Sequence, residues 1–118
     1  MGKRRILSFK YAFDGIWAAF KEEPNLKLHF LAGIGVILAG LILNISARDW
    51  VLVVILIGLV ISVELTNAAI EAVVDSFTVE HHPGAKKAKD ISAGAVLVVA
   101  IMSAIAGLII FLPYVKSS

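Results

Sequence analysis

Three apolar stretches, each long enough to cross a lipid bilayer as a helix, constrain this chain more than any other feature. They run over about 26–44, 50–76 and 90–112. A bilayer core about 30 Å thick needs roughly 20 consecutive apolar residues in a helix. Of the 118 residues, 59% are hydrophobic and only 17% are charged. A soluble domain of this size has too small a core to bury such an excess. We therefore expect an all-α membrane protein with three transmembrane helices and a single domain over 1–118.

Residues 4–22 show a different pattern. Apolar residues such as Ile6, Phe9, Phe13 and Trp17 recur at three- and four-residue steps, and charged residues interrupt them. This pattern predicts an amphipathic helix that lies in the membrane interface. The alternative is an ordinary amphipathic helix that packs against another protein surface.

The distribution of basic residues predicts the orientation. Lysine and arginine are concentrated in the N-terminal segment and in the loop 79–89, whereas the turn 44–49 holds only Arg48. The positive-inside rule then places the N-terminus and the 79–89 loop in the cytoplasm and the C-terminus outside, across a cytoplasmic (inner) membrane. We expect the loop to interrupt the helices and Pro113 to end the third span.

Four polar residues share one face of the second span. At about 100° per residue, Glu64, Asn67, Glu71 and Asp75 fall within a stripe roughly 80° wide. A charged residue at the bilayer centre costs about 2.5–3.5 kcal/mol on insertion scales, and less near the ends of a span. We therefore expect the stripe to face protein or a water-filled cavity. A polar cluster that only holds helices together is the alternative.

Carboxylates at this spacing favour phosphoryl-transfer chemistry. Mg²⁺ binds one or two carboxylates together with substrate phosphates. Glu64 is the deepest of the acidic residues and the best candidate for a general base, and Glu71 is nearer the cytoplasm, where a metal ligand would meet a nucleotide. Glu22 and Glu23 add carboxylates at the same height, and the residues alone do not choose between them.

The loop 79–89 supplies groups that could contact a nucleotide. Lys89 could hold a phosphate, and His81 or His82 could contact a base or sugar. A plain solvated loop is the alternative, and two histidines without further spaced ligands are a weak metal motif. The chain has no GxxxxGK[ST] phosphate loop, no GxGxxG motif and no nucleophile elbow. A kinase with this sequence would not have one of the soluble architectures.

These motifs resemble a known family. The run Glu-Leu-Thr-Asn-Ala-Ala-Ile-Glu-Ala-Val-Val-Asp at 64–75, Ala-Lys-Asp at 88–90 and Gly-Ala-Val-Leu at 94–97 resemble the prokaryotic diacylglycerol kinases. That family includes the undecaprenol kinases, and Ser8-Phe9-Lys10-Tyr11-Ala12, Lys21-Glu22-Glu23, Asn25 and His29 are more similar to that branch. The resemblance covers essentially the whole chain.

Two residues depart from the undecaprenol kinase branch. Pro24 stands where that branch usually has a basic residue, and Lys27 stands where arginine is common, so the lipid specificity stays open.

The resemblance implies the site residues, cofactors and partners. Glu64 would be the catalytic base supported by Asn67, and Glu23 and Glu71 would bind Mg²⁺. Ser8, Asn25 and Glu64 would contact the lipid substrate. ATP would be the co-substrate and nucleic acid no partner, and a homotrimer would place its active sites between subunits. The implied nucleotide-binding set is Arg4, Tyr11, Glu23, Glu71, Glu80, His81, His82, Lys89 and Asp90.

The sequence thus predicts an ATP- and Mg²⁺-dependent kinase that phosphorylates the hydroxyl of a membrane lipid alcohol. Undecaprenol is favoured over diacylglycerol. A rival from another class is a small ion-coupled transporter, but such a protein would place a carboxylate near the bilayer midplane, whereas here the acidic residues lie towards one end of the span. A catalytically silent relative would not be expected to retain this whole set of polar residues.

Overall fold

The computed structural model describes residues 2–78 and 82–117, and this part of the chain forms four helices and no strand. The helices are α1 (Gly2–Glu22), α2 (Pro24–Leu43), α3 (Ala47–Phe77) and α4 (Pro83–Ser117). Helices α2, α3 and α4 are each long and apolar enough to cross a membrane. This confirms the predicted all-α class with three candidate spans. Helix α3 packs against each of the other three helices, so it is the centre of the arrangement.

Helix α4 is longer at both ends than the predicted span 90–112. It begins at Pro83 because proline needs no N–H partner in a first helical turn, and because Nδ1 of His82 accepts hydrogen bonds from the backbone N–H groups of Gly84 (3.0 Å) and Ala85 (3.3 Å). The expectation that Pro113 ends the span was wrong, since the helix continues to Ser117. Pro113 forgoes only one hydrogen bond near the helix terminus.

A tight turn joins α2 to α3 at the end opposite the acidic stripe. Asn44 adopts the left-handed conformation (φ 52°), which asparagine tolerates better than most residues. The hydroxyl of Ser46 accepts a hydrogen bond from the backbone N–H of Asp49 and so caps α3. Tyr114 of α4 accepts a hydrogen bond from the backbone N–H of Ser46 (3.0 Å), and its hydroxyl donates to Asp49. The turn is thereby tied to the end of α4.

The buried core is small, and most of the large apolar side chains face outwards. The buried apolar side chains are Leu26, Ile45, Val53, Val99 and Ile110. Many others on the three spans remain exposed, as expected where lipid rather than water surrounds the helices. Trp50 is only partly exposed and packs over Gly40.

Helix α1 packs against α2 and α3 through one side, and none of its residues is buried. Its last turn is joined to α2 by aromatic contacts, with the ring of Phe20 at 6.0 Å from that of Trp17 and 5.4 Å from that of Phe30. Phe9 and Phe13 remain largely exposed. This placement brings the end of α1 beside the polar half of α3.

Candidate functional site

Glu64 is the most deeply placed acidic side chain of the described residues. It lies on α3 and is only 5% exposed. The nearest charged or titratable partner recorded for it is His29 on α2, whose Nδ1 is 3.8 Å from Oε1 of Glu64. That separation is too long for a hydrogen bond, and Nδ1 of His29 has no hydrogen-bond partner although it is buried. A buried carboxylate beside an imidazole provides two groups that can accept or donate a proton.

A chain of hydrogen bonds links the next residues of the stripe to α4. The hydroxyl of Ser92, which is buried on α4, donates to Oδ1 of Asn67 at 2.6 Å. Nδ2 of Asn67 in turn donates to Oε1 of Glu71 at 3.4 Å. Because its oxygen is occupied by Ser92, the Asn67 amide is oriented with its N–H groups towards Glu71. Asn67 therefore positions the Glu71 carboxylate.

Glu23 and Glu71 line one cavity of about 510 Å³ between α1 and α3. Glu22 and Asp75 line it too, and the rest of the wall consists mainly of small residues, among them Gly15 and Ala68. Burial raises the pKa of the Glu23 carboxyl above its ordinary value, and the charges of Glu71, Glu64 and Glu22 raise it further. We call this space the carboxylate cavity.

The carboxylate cavity has the donor set that Mg²⁺ uses in phosphoryl-transfer sites. No three His, Cys, Asp or Glu side chains within residues 2–78 and 82–117 are arranged to hold a metal by themselves. Mg²⁺, however, is commonly held by one or two carboxylates and completes its shell with waters and phosphate oxygens. Repulsion between Glu23 and Glu71, seen in the raised pKa of Glu23, is what a bound cation would relieve.

Basic residues from the start of α4 stand beside the outer end of the stripe. Nζ of Lys89 is 2.9 Å from Oδ1 of Asp75, and this ion pair connects α4 to α3. Asp90 is engaged by Lys86 at 2.6 Å on the same helix. Both pairs are exposed to solvent, so each contributes little to stability.

The other site residues predicted from the sequence are not gathered around the carboxylate cavity. Arg4, Tyr11 and Asn25 are exposed, and the hydroxyl of Ser8 donates to the carbonyl of Arg4 within α1. The imidazole of His82 accepts from the backbone at the start of α4. Glu80 and His81 lie outside the described residues. The nucleotide and lipid roles of these residues stay predictions.

Two residues of the site were given no role from the sequence. His29 was named only in the family resemblance, and Ser92 was not singled out at all. Ser92 is one of three small polar residues in an apolar helix, and nothing local distinguishes it from Ser103. Its position two residues after Asp90 is the feature that could have drawn attention to it.

Comparison with known proteins gives the family. The model described as "Prokaryotic diacylglycerol kinase" matches residues 10–111. Undecaprenol kinase of Bacillus subtilis is 46% identical over 110 residues, which cover 93% of this chain and 89% of that protein. Diacylglycerol kinase of Synechocystis is 40% identical over 92% of this chain and 62% of that protein. Diacylglycerol kinase of Escherichia coli K12 is 36% identical over 86% of this chain and 84% of that protein. The chain therefore belongs to the prokaryotic diacylglycerol kinase family.

Proposed function

We propose that this protein transfers the γ-phosphoryl group of ATP to the hydroxyl of a membrane lipid alcohol. The lipid kinase activity agrees with the names of its relatives. One observation supports placing this activity at the acidic stripe: buried Glu64, Asn67 and Glu71 lie on a single face of α3. Glu23 lines the same cavity as Glu71. This arrangement supplies a base at membrane depth and paired carboxylates towards the surface.

Each residue has a distinct proposed task. Glu64 accepts the proton of the lipid hydroxyl as that oxygen attacks the γ-phosphorus, and the bond from the γ-phosphorus to the bridging oxygen of ADP breaks. Asn67 orients the Glu71 carboxylate. Lys89 is placed to bind a phosphate oxygen as a point charge, which requires it to exchange its partner Asp75 for the nucleotide.

Glu23 and Glu71 are the proposed Mg²⁺ ligands. A bound Mg²⁺ would neutralise charge on the phosphate oxygens of the nucleotide. In the chain itself, the two carboxylates fix where the phosphates bind, next to Asp75 and Lys89. Glu71 lies about two helical turns, or about 10 Å along the axis, from Glu64. Glu64 and Glu71 both lie on α3, so one helix fixes their separation, whereas Glu23 lies at the junction of α1 and α2.

Undecaprenol is the proposed acceptor, and diacylglycerol is the alternative. Identity to the undecaprenol kinase of Bacillus subtilis is higher than to the diacylglycerol kinases named above. We further propose that the protein is a homotrimer in the cytoplasmic membrane, with α1 in the interface and the N-terminus in the cytoplasm. The exposed aromatic side chains of α1 support its place in the interface, and the lysines at the start of α4 support the cytoplasmic side. The trimer is carried over from the family resemblance alone.

A direct assay tests the function. Purified protein in lipid nanodiscs is supplied with labelled ATP and with undecaprenol or diacylglycerol. We expect phosphorylation of undecaprenol with the higher kcat/KM, and loss of at least about a hundredfold in Glu64→Gln, the usual scale for removing a general base. Asp14→Asn, which changes an exposed carboxylate on α1, serves as the control. Full activity of Glu64→Gln would refute the mechanism, and a clear preference for diacylglycerol would refute the choice of lipid.

A further inference from the structure

A second cavity, of about 610 Å³, lies between α2, α3 and α4 within the apolar part of the spans. We call it the span cavity. Its wall includes Gly33 of α2, Val53 and Val60 of α3, and Ala100 and Gly107 of α4. Along α3 it extends from Val53 to Val60, about 10 Å at 1.5 Å per residue. It is therefore long, apolar and parallel to the spans.

The span cavity ends beside the proposed base. Val60 is one helical turn from Glu64 on α3, and His29, which is 3.8 Å from Glu64, is itself part of the wall. The cavity thus leads from the middle of the spans to the carboxylate that would take the proton from the substrate.

Nδ1 of His29 is a buried polar atom with no partner in the protein. Such atoms are rare, because losing a hydrogen bond to water without replacement costs about 1–3 kcal/mol. A single oxygen at ordinary hydrogen-bond distance, about 2.8 Å, reaches both Nδ1 of His29 and Oε1 of Glu64, since these atoms are 3.8 Å apart. A hydroxyl suits this place because it can accept from the imidazole N–H and donate to the carboxylate.

We propose that the lipid alcohol binds with its hydroxyl between His29 and Glu64 and with the first part of its hydrocarbon tail in the span cavity. The inference rests on the proposed function and adds to it a contact residue, His29, and a path for the tail. The apolar wall suits a single hydrocarbon chain such as that of a prenol.

Cavity-filling variants test the path of the tail. A Cβ added at Gly107 would meet no atom within 4 Å, and the three further carbons of leucine in Gly107→Leu would narrow the span cavity. Gly35→Leu is the matched control, because Gly35 is equally open but does not line the cavity. We expect Gly107→Leu to raise the KM for a long prenol about tenfold, or about 1.4 kcal/mol, which corresponds to losing the burial of about two methylene groups. The KM for ATP should stay unchanged in both variants.

Several outcomes would overturn the proposal. One is an equal effect of Gly107→Leu and Gly35→Leu on the KM for the prenol. Another is a change of oligomeric state in Gly107→Leu, which would make the cavity a contact with a second copy of the chain. If that variant does not fold, photo-crosslinking of the wild type with a diazirine-bearing prenol decides. Adducts on residues such as Ala100 and Gly107 support the path, and adducts only on residues outside the cavity refute it.

Substitutions at His29 test the hydroxyl contact. His29→Leu should lower kcat/KM for the lipid by about tenfold to a hundredfold, the range expected for one lost hydrogen bond at a buried site. His29→Asn keeps a polar atom near the position of Nδ1 and should recover most of the activity. Equal activity of wild type and His29→Leu would refute the contact, as would equal loss in both variants. If the wild type phosphorylates no lipid, the proposed function fails, whereas the crosslinking still reports whether a prenol fills the span cavity.

Discussion

The hydrogen-bond chain from Ser92 through Asn67 to Glu71 determines how one of the two proposed metal ligands is held. Ser92 is buried and Asn67 is half-buried, so water does not fully replace a lost partner. The side-chain amide of Asn67 has one oxygen and one nitrogen, and the hydrogen bond from Ser92 determines which of the two faces α4.

We therefore expect Ser92→Ala to raise the KM for Mg·ATP about threefold to tenfold while the KM for the lipid changes less. Without the Ser92 hydroxyl, the Asn67 amide loses the partner that fixes its orientation towards Glu71. Steady-state kinetics with both substrates varied would measure this. Ser76→Ala, which removes an exposed hydroxyl bonded only within its own helix, is the control. A larger effect on the lipid than on Mg·ATP would argue against the positioning role.

Glu23 stands in an unfavourable electrostatic environment in the metal-free protein. Its pKa is raised by burial and by Glu71, Glu64 and Glu22, so the folded state binds a proton there more tightly than the unfolded chain does. The resulting loss of stability sets in as the pH rises past the ordinary pKa of a glutamate and is complete above the raised folded pKa.

Glu23→Gln should accordingly raise the thermal stability of the metal-free protein at neutral pH while it abolishes lipid phosphorylation. Mg²⁺ should raise the Tm of the wild type more than that of the variant. Thermal unfolding in detergent with and without Mg²⁺ checks both statements. Glu22→Gln provides the comparison, since Glu22 has the smallest of the effects on Glu23 and should change the Tm less. An unchanged or lower Tm in Glu23→Gln would contradict the expectation.

The indole of Trp50 on α3 lies directly over Gly40 of α2. A Cβ at Gly40 would lie 2.7 Å from Cη2 of the indole and 3.1 Å from Cδ1 of Ile45. Glycine is needed there because the indole covers the backbone of α2. Trp50 thus packs directly on the backbone of α2.

Gly40→Ala should destabilise the protein by about 1–3 kcal/mol, the usual cost of overpacking a close contact. Gly35→Ala, where the added Cβ meets nothing within 4 Å, should be neutral or slightly stabilising, since alanine favours a helix over glycine. Denaturation in mixed micelles would measure both. Equal stability of the two variants would show that the indole moves aside at little cost.

Tyr114 connects the end of α4 to the α2–α3 turn through Ser46 and Asp49. We expect Tyr114→Phe to lower stability by about 1–3 kcal/mol, because two hydrogen bonds are lost and the Ser46 N–H is left without this acceptor. The kcat should change little, since the turn is at the opposite end of α3 from Glu71. Ser117→Ala, which removes an exposed hydroxyl nearby, is the control. A kcat reduced in step with stability would mean that the two ends are coupled.

For the whole molecule, the orientation across the membrane is open to a direct test. The chain has no cysteine, so a single introduced cysteine is labelled without background. In intact cells, a membrane-impermeant maleimide should label Lys116→Cys and should reach Lys87→Cys only after permeabilisation. We expect this labelling because basic residues are concentrated at the N-terminus and around the start of α4, and such segments stay in the cytoplasm. The reverse labelling would place ATP and the carboxylate cavity on opposite sides of the membrane.

Sequence reasoning reached the family, the three spans and the acidic stripe because each depends on local information. Apolar length determines whether a helix can span a bilayer, and helical periodicity alone puts Glu64, Asn67, Glu71 and Asp75 on one face. The ends of α4 were harder to predict from the sequence. The capping of its start by His82, and the continuation past Pro113, depend on side-chain geometry and on neighbouring helices.

Only the tertiary structure decided which partners the stripe meets. Asn67 and Ser92 are 25 residues apart in sequence, and their hydrogen bond requires the particular register of α4 against α3. The approach of His29 to Glu64 likewise depends on how α2 lies along α3. The sequence by itself therefore determined that this protein is a membrane-spanning member of its kinase family with carboxylates on one helical face. The packing of the helices decided which of those carboxylates is buried, which is paired and which lines a cavity, because these properties arise from contacts between distant segments.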